Sequence, residues 1–378
     1  MIGARAAIAA LLAAIAVTTP AGVAAADDAP AEGAPAGRAA TYPLVLLLQG
    51  DELIASEPAG PQDPRDAPPG LALRLRRARV GFDVAQSQFR ARILFEADAV
   101  TASGSHDTPL AGGQMPFGGP VRATEAYVAW APGRAFEVDV GSLRVPFSLS
   151  RQVDEGDLRL AERAPFVDAF LPDFRTGVGV GGDLGALLYR AAFLSADTTF
   201  DGRLISAGLL GAARIWAEPI GPVGLVPWRR TPGDPWYDWF RFAGGVSVLY
   251  GTVAAPRTLA IDPDFQAQWR RFVVTAEYLF AIRYDQSNAT VPGSIQQGAV
   301  IEPGVTLYRQ RLDLVARADW ERVAGADLWG AGGGVTAYAP DPRWRLSLGF
   351  EQRWGESVVP GAGGSSHWVI LRLTLAVD

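Results

Sequence analysis

Phe89-Arg90-Ala91-Arg92-Ile93-Leu94-Phe95-Glu96-Ala97-Asp98-Ala99 changes character at every step. The odd positions are Phe89, Ala91, Ile93, Phe95, Ala97 and Ala99. The even positions are Arg90, Arg92, Leu94, Glu96 and Asp98. Successive side chains of an extended strand point to opposite faces, so one face is apolar and the other mostly charged. Leu312–Trp320 repeats the pattern, with Leu312, Leu314, Ala316, Ala318 and Trp320 set against Asp313, Arg317 and Asp319. Trp344, Leu346, Leu348 and Phe350 oppose Arg345, Ser347 and Glu351. Val274, Ala276, Tyr278 and Phe280 oppose Arg271, Thr275 and Glu277. A soluble sandwich also alternates, but over a thin core. Here such segments recur to the C-terminus with little helical periodicity between them. Strands of about ten residues that are apolar on one side and polar on the other are the mark of a transmembrane β-barrel. Lipid forces closure, because an open sheet edge leaves backbone groups unpaired.

The expected fold is therefore all-β, a sixteen-stranded antiparallel transmembrane barrel occupying residues 41–378. Its strands are expected near 42–53, 71–84, 88–100, 121–131, 135–144, 175–183, 186–196, 204–217, 239–252, 257–269, 271–283, 297–309, 310–323, 326–338, 343–355 and 366–377. One side then carries tight turns, for example Ala85–Ser87, Pro132–Arg134 and Leu184–Gly185. The other carries long Gly/Pro-rich loops at 54–70, 101–120, 145–174, 284–296 and 356–365. Short periplasmic turns and long external loops are the asymmetry of such barrels. Residues 218–238 break the rule, being long and rich in Pro and Trp on the short side. Trp130, Trp216, Trp239, Trp269, Trp320, Trp329, Trp344, Trp354 and Trp368 all lie near expected strand ends, where amphipathic rings meet the headgroup level.

Met1–Ala26 has a basic start at Arg5, an apolar run from Ala6 to Val17, and small residues before Asp27. This is the pattern of a cleaved export signal. Residues 27–40, rich in Ala, Pro and Gly, read as a flexible lead-in. With 49% hydrophobic and 20% charged residues the chain is not intrinsically disordered. A net charge of -6 argues against nucleic acid as a partner. There is no Cys, and His106 and His367 are the only two His, which excludes thiolate chemistry and leaves little for a metal or a catalytic triad. No cofactor is expected.

Function is expected on the inward face. About sixteen strands enclose a water-filled channel that something must narrow. The long loop 145–174 carries Arg151, Asp154, Glu155, Asp157, Arg159, Glu162, Arg163 and Asp173. Folded inward, these charges form an electrostatic filter; left outside, they are a solvated surface. On the walls, Arg77, Arg79, Arg90 and Arg92 fall on the lumenal side of two strands joined by a tight turn, which makes neighbours of four forked oxyanion donors. Arg317 and Arg345 are further lumenal cations, and Glu96, Asp98, Asp319 and Glu351 share the lumen. Paired charges that brace the wall are the competing reading. Arg74 and Arg76 have the wrong parity for the lumen.

Three stretches carry a resemblance. They are Leu75-Arg76-Arg77-Ala78-Arg79-Val80-Gly81; Val140–Leu149, which contains Gly141, Pro146 and Phe147 and is followed by Leu160-Ala161-Glu162-Arg163-Ala164; and Arg175-Thr176-Gly177-Val178-Gly179-Val180, which runs on to Tyr189-Arg190-Ala191-Ala192-Phe193. In order and spacing they resemble the phosphate-selective porin O and P family. The resemblance covers most of the chain from about residue 40 and is strongest at 71–195. It implies a trimeric barrel in outer-membrane lipid, a third loop folded into the pore as a constriction, and a lumen biased towards anions, phosphate among them. Arg77 and Arg79 match the family's wall arginines, Gly141, Pro146 and Phe147 the approach to its loop, and Glu162 and Arg163 the loop's end. The chain departs from the family in having no Lys, in its net negative charge and in ending at Leu375-Ala376-Val377-Asp378 rather than in an aromatic residue.

Gly177-x-Gly179-x-x-Gly182 matches a dinucleotide fingerprint, but no helical pattern follows it, and strand glycines that relieve crowding fit better. The reading is thus a non-enzymatic porin for passive diffusion of small hydrophilic solutes, with a preference for anions. The alternatives are a plugged structural or adhesive barrel without conductance, and a barrel-borne serine hydrolase using His106 or His367.

Overall fold

A computed structural model of the protein describes residues 44–56, 71–98, 122–153, 157–160, 163–164, 166–167, 174–195, 198–200, 203–206, 208–225, 239–252, 257–284, 292–307, 312–323, 325–338, 344–355 and 364–377. The expected signal segment 1–26 and lead-in 27–40 lie outside the described residues. The chain runs through β1 (Leu44–Ser56), β2 (Leu71–Gln86), β3 (Phe89–Asp98), β4 (Arg122–Gly133), β5 (Phe136–Arg144), the short helix α1 (Leu149–Gln152), β6 (Phe174–Asp183) and β7 (Leu187–Ser195). It continues through β8 (Thr198–Phe200), β9 (Arg203–Ser206), β10 (Leu209–Ala217), β11 (Phe240–Thr252), β12 (Arg257–Trp269), β13 (Phe272–Tyr284), β14 (Pro292–Leu307), β15 (Leu312–Val323), β16 (Ala326–Tyr338), β17 (Trp344–Gly355) and β18 (Gly364–Val377). No helix among the described residues is long and apolar enough to cross a membrane.

The main sheet is antiparallel. Its strands hydrogen-bond in the order β1-β18-β17-β16-β15-β14-β13-β12-β11-β10-β7-β6-β5-β4-β3-β2, and β1 pairs with both β18 and β2, so the sheet closes on itself. β8 and β9 stand apart as a two-stranded hairpin. This corrects one expected strand: 204–217 is not continuous, and the barrel strand begins only at Leu209. The reason is legible in Asp201-Gly202, a two-residue hairpin signal that lies between the paired Phe200 and Arg203.

Proline is accommodated at a cost in the ladder. Pro263 pairs with Val246 of β11, but the β12–β13 ladder skips Asp262 and Pro263. Pro303 likewise pairs with Val274, while the β14–β15 ladder skips Glu302 and Pro303. A residue without an N–H can serve one neighbour and must fail the other.

The outward face is apolar. Val80, Phe82, Ile93 and Phe95 on β2 and β3, Val128 on β4, Val140 on β5, Phe193 on β7, Val248 on β11 and Leu348 on β17 are all exposed. Aromatic rings gather where strands end. Trp130 meets Phe136 edge to face at 6.2 Å, and Trp269 stacks on Phe272 at 6.2 Å, both beside tight turns. At the opposite end Trp320 and Trp329 lie 6.2 Å apart. Trp216 corrects the expected girdle. It is 4% exposed and turned inward, where it packs with Leu149, Val223 and Ala243.

The inward face is not uniformly polar. Ala192, Leu194, Leu210, Ala212, Leu249, Ala260, Leu279, Ala281 and Val300 form an apolar bed on β7 and β10–β14. It is covered by Leu143, Val145, Phe147, Ala164, Phe166 and Val167, most of which belong to the segment that follows β5.

Candidate functional site

β5 ends at Arg144, and the chain then turns into the barrel. Ser148 has φ 66° and caps α1, its Oγ accepting from the Arg151 N–H at 3.4 Å. The Ser148 N–H donates to Ser247 Oγ of β11 at 3.2 Å, and its hydroxyl donates to Glu277 of β13. Ser150 donates its N–H and its hydroxyl to the same carboxylate at 3.0 and 2.6 Å. Farther along, Arg159 gives a forked pair of hydrogen bonds to Asp313 of β15 at 2.9 and 3.0 Å, and neither side chain has any exposed surface. Thr336 of β16 donates to the Arg159 carbonyl at 3.2 Å, and Arg345 of β17 donates to the Leu158 carbonyl at 3.0 Å. The described part of 145–167 is therefore fastened to inward positions of β11, β13, β15, β16 and β17.

The loop arginines do not stand as free filter charges. Arg151 donates twice to the Val167 carbonyl, at 3.2 and 2.8 Å. Arg163 donates to the carbonyls of Ser150 at 2.9 Å and Val153 at 2.8 Å. Arg144 donates to the carbonyls of Arg151 and Gln152. An irregular segment with little backbone pairing of its own needs donors for its carbonyls, and guanidinium groups supply them. Asp157 is half-buried; Asp154, Glu155, Glu162 and Asp173 lie outside the described residues.

The wall arginines are inward, and carboxylates sit between them. Arg79 is paired with Glu96, both buried. Arg92 meets Glu125 at 3.2 Å, and Arg144 meets the same carboxylate at 3.3 Å. Arg90 sits at the turn-side mouth, its side chain 44% exposed, and binds Asp83 at 2.7 Å. Of the four arginines expected as neighbours, the three whose side chains are described, Arg79, Arg90 and Arg92, each meet a different carboxylate. Buried arginines need counter-charges, and the facing strands provide them. Arg77 lies opposite Asp98 in register, and the side chains of both lie outside the description. On the other wall Arg317 reaches Glu302 at 2.7 Å and Glu351 at 3.6 Å, while Arg353 reaches Asp319 at 2.9 Å and Glu351 at 2.8 Å.

The irregular connection after β10 also turns inward. Glu218 accepts from the N–H groups of Val223 at 3.1 Å and Gly224 at 2.7 Å, and from the Trp216 indole at 3.3 Å. Arg241 donates to the Pro222 carbonyl, and Gln266 donates to the Leu225 carbonyl at 3.2 Å. Val223 is buried with Leu149 of α1. Glu218–Leu225 is therefore a strap at the turn side that meets the segment arriving from β5. Residues 226–238 lie outside the described residues.

Several contributors were not among the expected site residues: Glu125, Arg144, Ser148, Ser150, Arg214, Asp262, Asp264 and Glu302, together with Glu277 and Asp313, which alternation had placed on a polar face without a role. Strand parity places Glu125, Arg214, Asp262, Asp264, Glu277, Glu302 and Asp313 on the inward face, but not Arg144, which shares the parity of the exposed Val140; what parity lacks is the partner, which is distant in sequence. One signal was available. Gly298 and Gly304 occupy inward positions of β14, and a Cβ there would come 2.5 Å from the Phe166 ring and 1.7 Å from the Arg159 guanidinium. Glycine inside a strand marks close approach by something else. Gly179 does the same for Asp139, whose Oδ1 would lie 2.0 Å from an added Cβ, in keeping with crowding rather than nucleotide binding.

His106 lies outside the described residues, and of His367 only the backbone pairing with Gln352 and with Ser56 is described. No grouping of three His, Cys, Asp or Glu side chains that could hold a metal occurs among the described residues.

No protein-family model matches the sequence, and no curated protein does. Solved structures do share the fold. An anion-selective porin from Comamonas acidovorans is 9% identical with a TM-score of 0.57, the match covering 89% of this chain and 100% of that one. OmpT, an outer-membrane protein of Vibrio cholerae solved in a trimer form, is 10% identical with a TM-score of 0.57, covering 90% and 100%. The outer-membrane channel DcaP of Acinetobacter baumannii is 11% identical with a TM-score of 0.53, covering 89% and 97%. At these identities the likeness is one of architecture: an antiparallel all-β sheet of the outer-membrane porin kind.

Proposed function

We propose that the chain is an outer-membrane porin: a sixteen-stranded transmembrane barrel whose 145–174 segment constricts a channel for passive diffusion of small hydrophilic solutes. One observation carries this reading. A segment more than a hundred residues away in sequence from β13 and β15 is fastened to their inward faces, inside a sheet whose outward face is apolar. Such a segment is costly to bury and belongs where a passage has to be narrowed. The medium facing Val80, Val128 and Phe193 is lipid, and the partners are that lipid and small solutes in the lumen. A homotrimer is the assembly proposed.

A preference for anions, phosphate among them, rests on the β2–β5 wall. There Arg79 faces Glu96, and Arg92 and Arg144 converge on the single carboxylate of Glu125, which places two guanidinium groups against one acid. Guanidinium donors suit oxyanions, and the fields in a narrow wet passage are strong. Planar-bilayer reversal potentials in a salt gradient test the preference, and a cation-selective result defeats it. The double substitution Arg90→Glu, Arg92→Glu spares the buried Arg79–Glu96 pair and is expected to move the reversal potential towards cations. No movement places both residues off the ion path.

The plugged, non-conducting barrel is kept as a second reading because the two inward segments touch, Leu149 against Val223. It differs in one measurable respect, the absence of single-channel steps.

A further inference from the structure

The charge balance on the β12–β13 wall is incomplete. Asp264 is satisfied by a forked pair from Arg214, and Arg214 also reaches Ser247 at 2.8 Å. Asp262, two residues earlier on the same inward face, is 1% exposed, and neither of its carboxylate oxygens has a hydrogen-bond partner. It lines a small cavity of about 10 Å³ together with Glu277 and Ser148 on the polar side and Phe147, Val167 and Leu279 on the apolar side. That is room for roughly one water-sized occupant. Arg151 also borders the cavity, but its Nε and Nη2 donors go to the Val167 carbonyl. Beside the cavity the β12–β13 ladder skips Asp262 and Pro263. Two carboxylates thus face one small space with no donor directed at Asp262. A buried, uncompensated carboxylate is strongly unfavourable, so the space calls for a positive occupant.

We propose that Asp262 and Glu277 hold one small monovalent cation, sodium or potassium, in this cavity. The oxygens are hard ligands suited to an alkali cation, and the space is sized for a single dehydrated ion. Calcium takes about six to eight oxygens, waters included, and a cavity of about 10 Å³ leaves no room for the waters that would complete such a shell. The ion neutralises Asp262 and bridges it to Glu277, the carboxylate that already holds Ser148 and Ser150. It therefore clamps the inward segment to the wall. The proposal is independent of conductance and stands whether the barrel conducts or is plugged.

The test is thermal denaturation of the full-length protein in detergent, in sodium chloride and in choline chloride of equal ionic strength. Wild type is expected to melt several degrees higher in sodium, and Asp262→Asn to melt at the same temperature in both salts. Equal melting of wild type in the two salts overturns the proposal, as does a sodium effect that persists in Asp262→Asn. A stabilisation that follows pH but not cation identity also overturns it, because it assigns the gap to a proton shared by the two carboxylates. If Asp262→Asn does not fold, anomalous scattering from wild-type crystals soaked in rubidium chloride decides. A peak between Asp262 and Glu277 supports the site, and its absence overturns it.

Discussion

At the residue scale the most informative contact is Arg159 on Asp313. Both side chains are fully buried, and both forks of the guanidinium are used. Gly304 leaves the space that the guanidinium fills, and Thr306 donates to the same carboxylate at 3.3 Å. Removing one member of a buried pair strands the other without water or counter-charge. Arg159→Ala is therefore expected to cost about 3–5 kcal/mol. Replacing both members together, as Arg159→Met with Asp313→Leu, should cost much less. Denaturant unfolding of the barrel in phospholipid vesicles measures both, and equal costs for the single and double variants would show that the pair contributes nothing as a pair. The alternation of Leu312–Trp320 already turned Asp313 inward. What it could not supply was Arg159, which lies 154 residues earlier in a stretch with no period. Strand parity is a local rule, and ion pairing across a lumen is not local.

At the element scale the two irregular segments explain where alternation fails. Ala191-Ala192-Phe193-Leu194 and Leu279-Phe280-Ala281 are apolar on both faces. A strand facing lipid on one side and water on the other has no reason to be so. The inward members, Ala192, Leu194, Leu279 and Ala281, are the bed on which Phe147 and Phe166 rest. The lapse in period was thus a readable trace of the docking segment. The Pro- and Trp-rich run at 218–238, out of place among tight turns, was a trace of the strap. Glu218 holds that strap by three hydrogen bonds. Glu218→Ala is expected to loosen Pro222–Leu225 and to raise single-channel conductance severalfold, read as step size in a planar bilayer. Unchanged steps would place the strap clear of the permeation path.

At the scale of the whole molecule the outward surface sets the energetics. Val128 lies well inside β4 and is 56% exposed, whereas Phe136 lies beside the turn. An arginine at the depth of Val128 is expected to cost about 2–4 kcal/mol, and one at Phe136 about 0–1 kcal/mol. Folding titrations into vesicles compare Val128→Arg with Phe136→Arg, and equal costs would argue against a lipid environment. The order and face of the barrel strands were legible because period two persists wherever one face of a strand is apolar and exposed and the other is turned inward, although β14 begins at Pro292, inside the loop expected at 284–296. The hairpin β8–β9 and the late start of β10 were not, because short strands outside the main sheet face no such contrast.

The strap of Glu218–Leu225 occupies the turn-side mouth, where the Glu218 carboxylate draws the Val223 and Gly224 N–H groups inward. In the proposed porin an ion entering at that mouth meets the strap first, and one entering from the other end meets it last. The current–voltage curve of molecules inserted in a single orientation should bend: opposite polarities of equal size should drive unequal currents, and Glu218→Ala should straighten it.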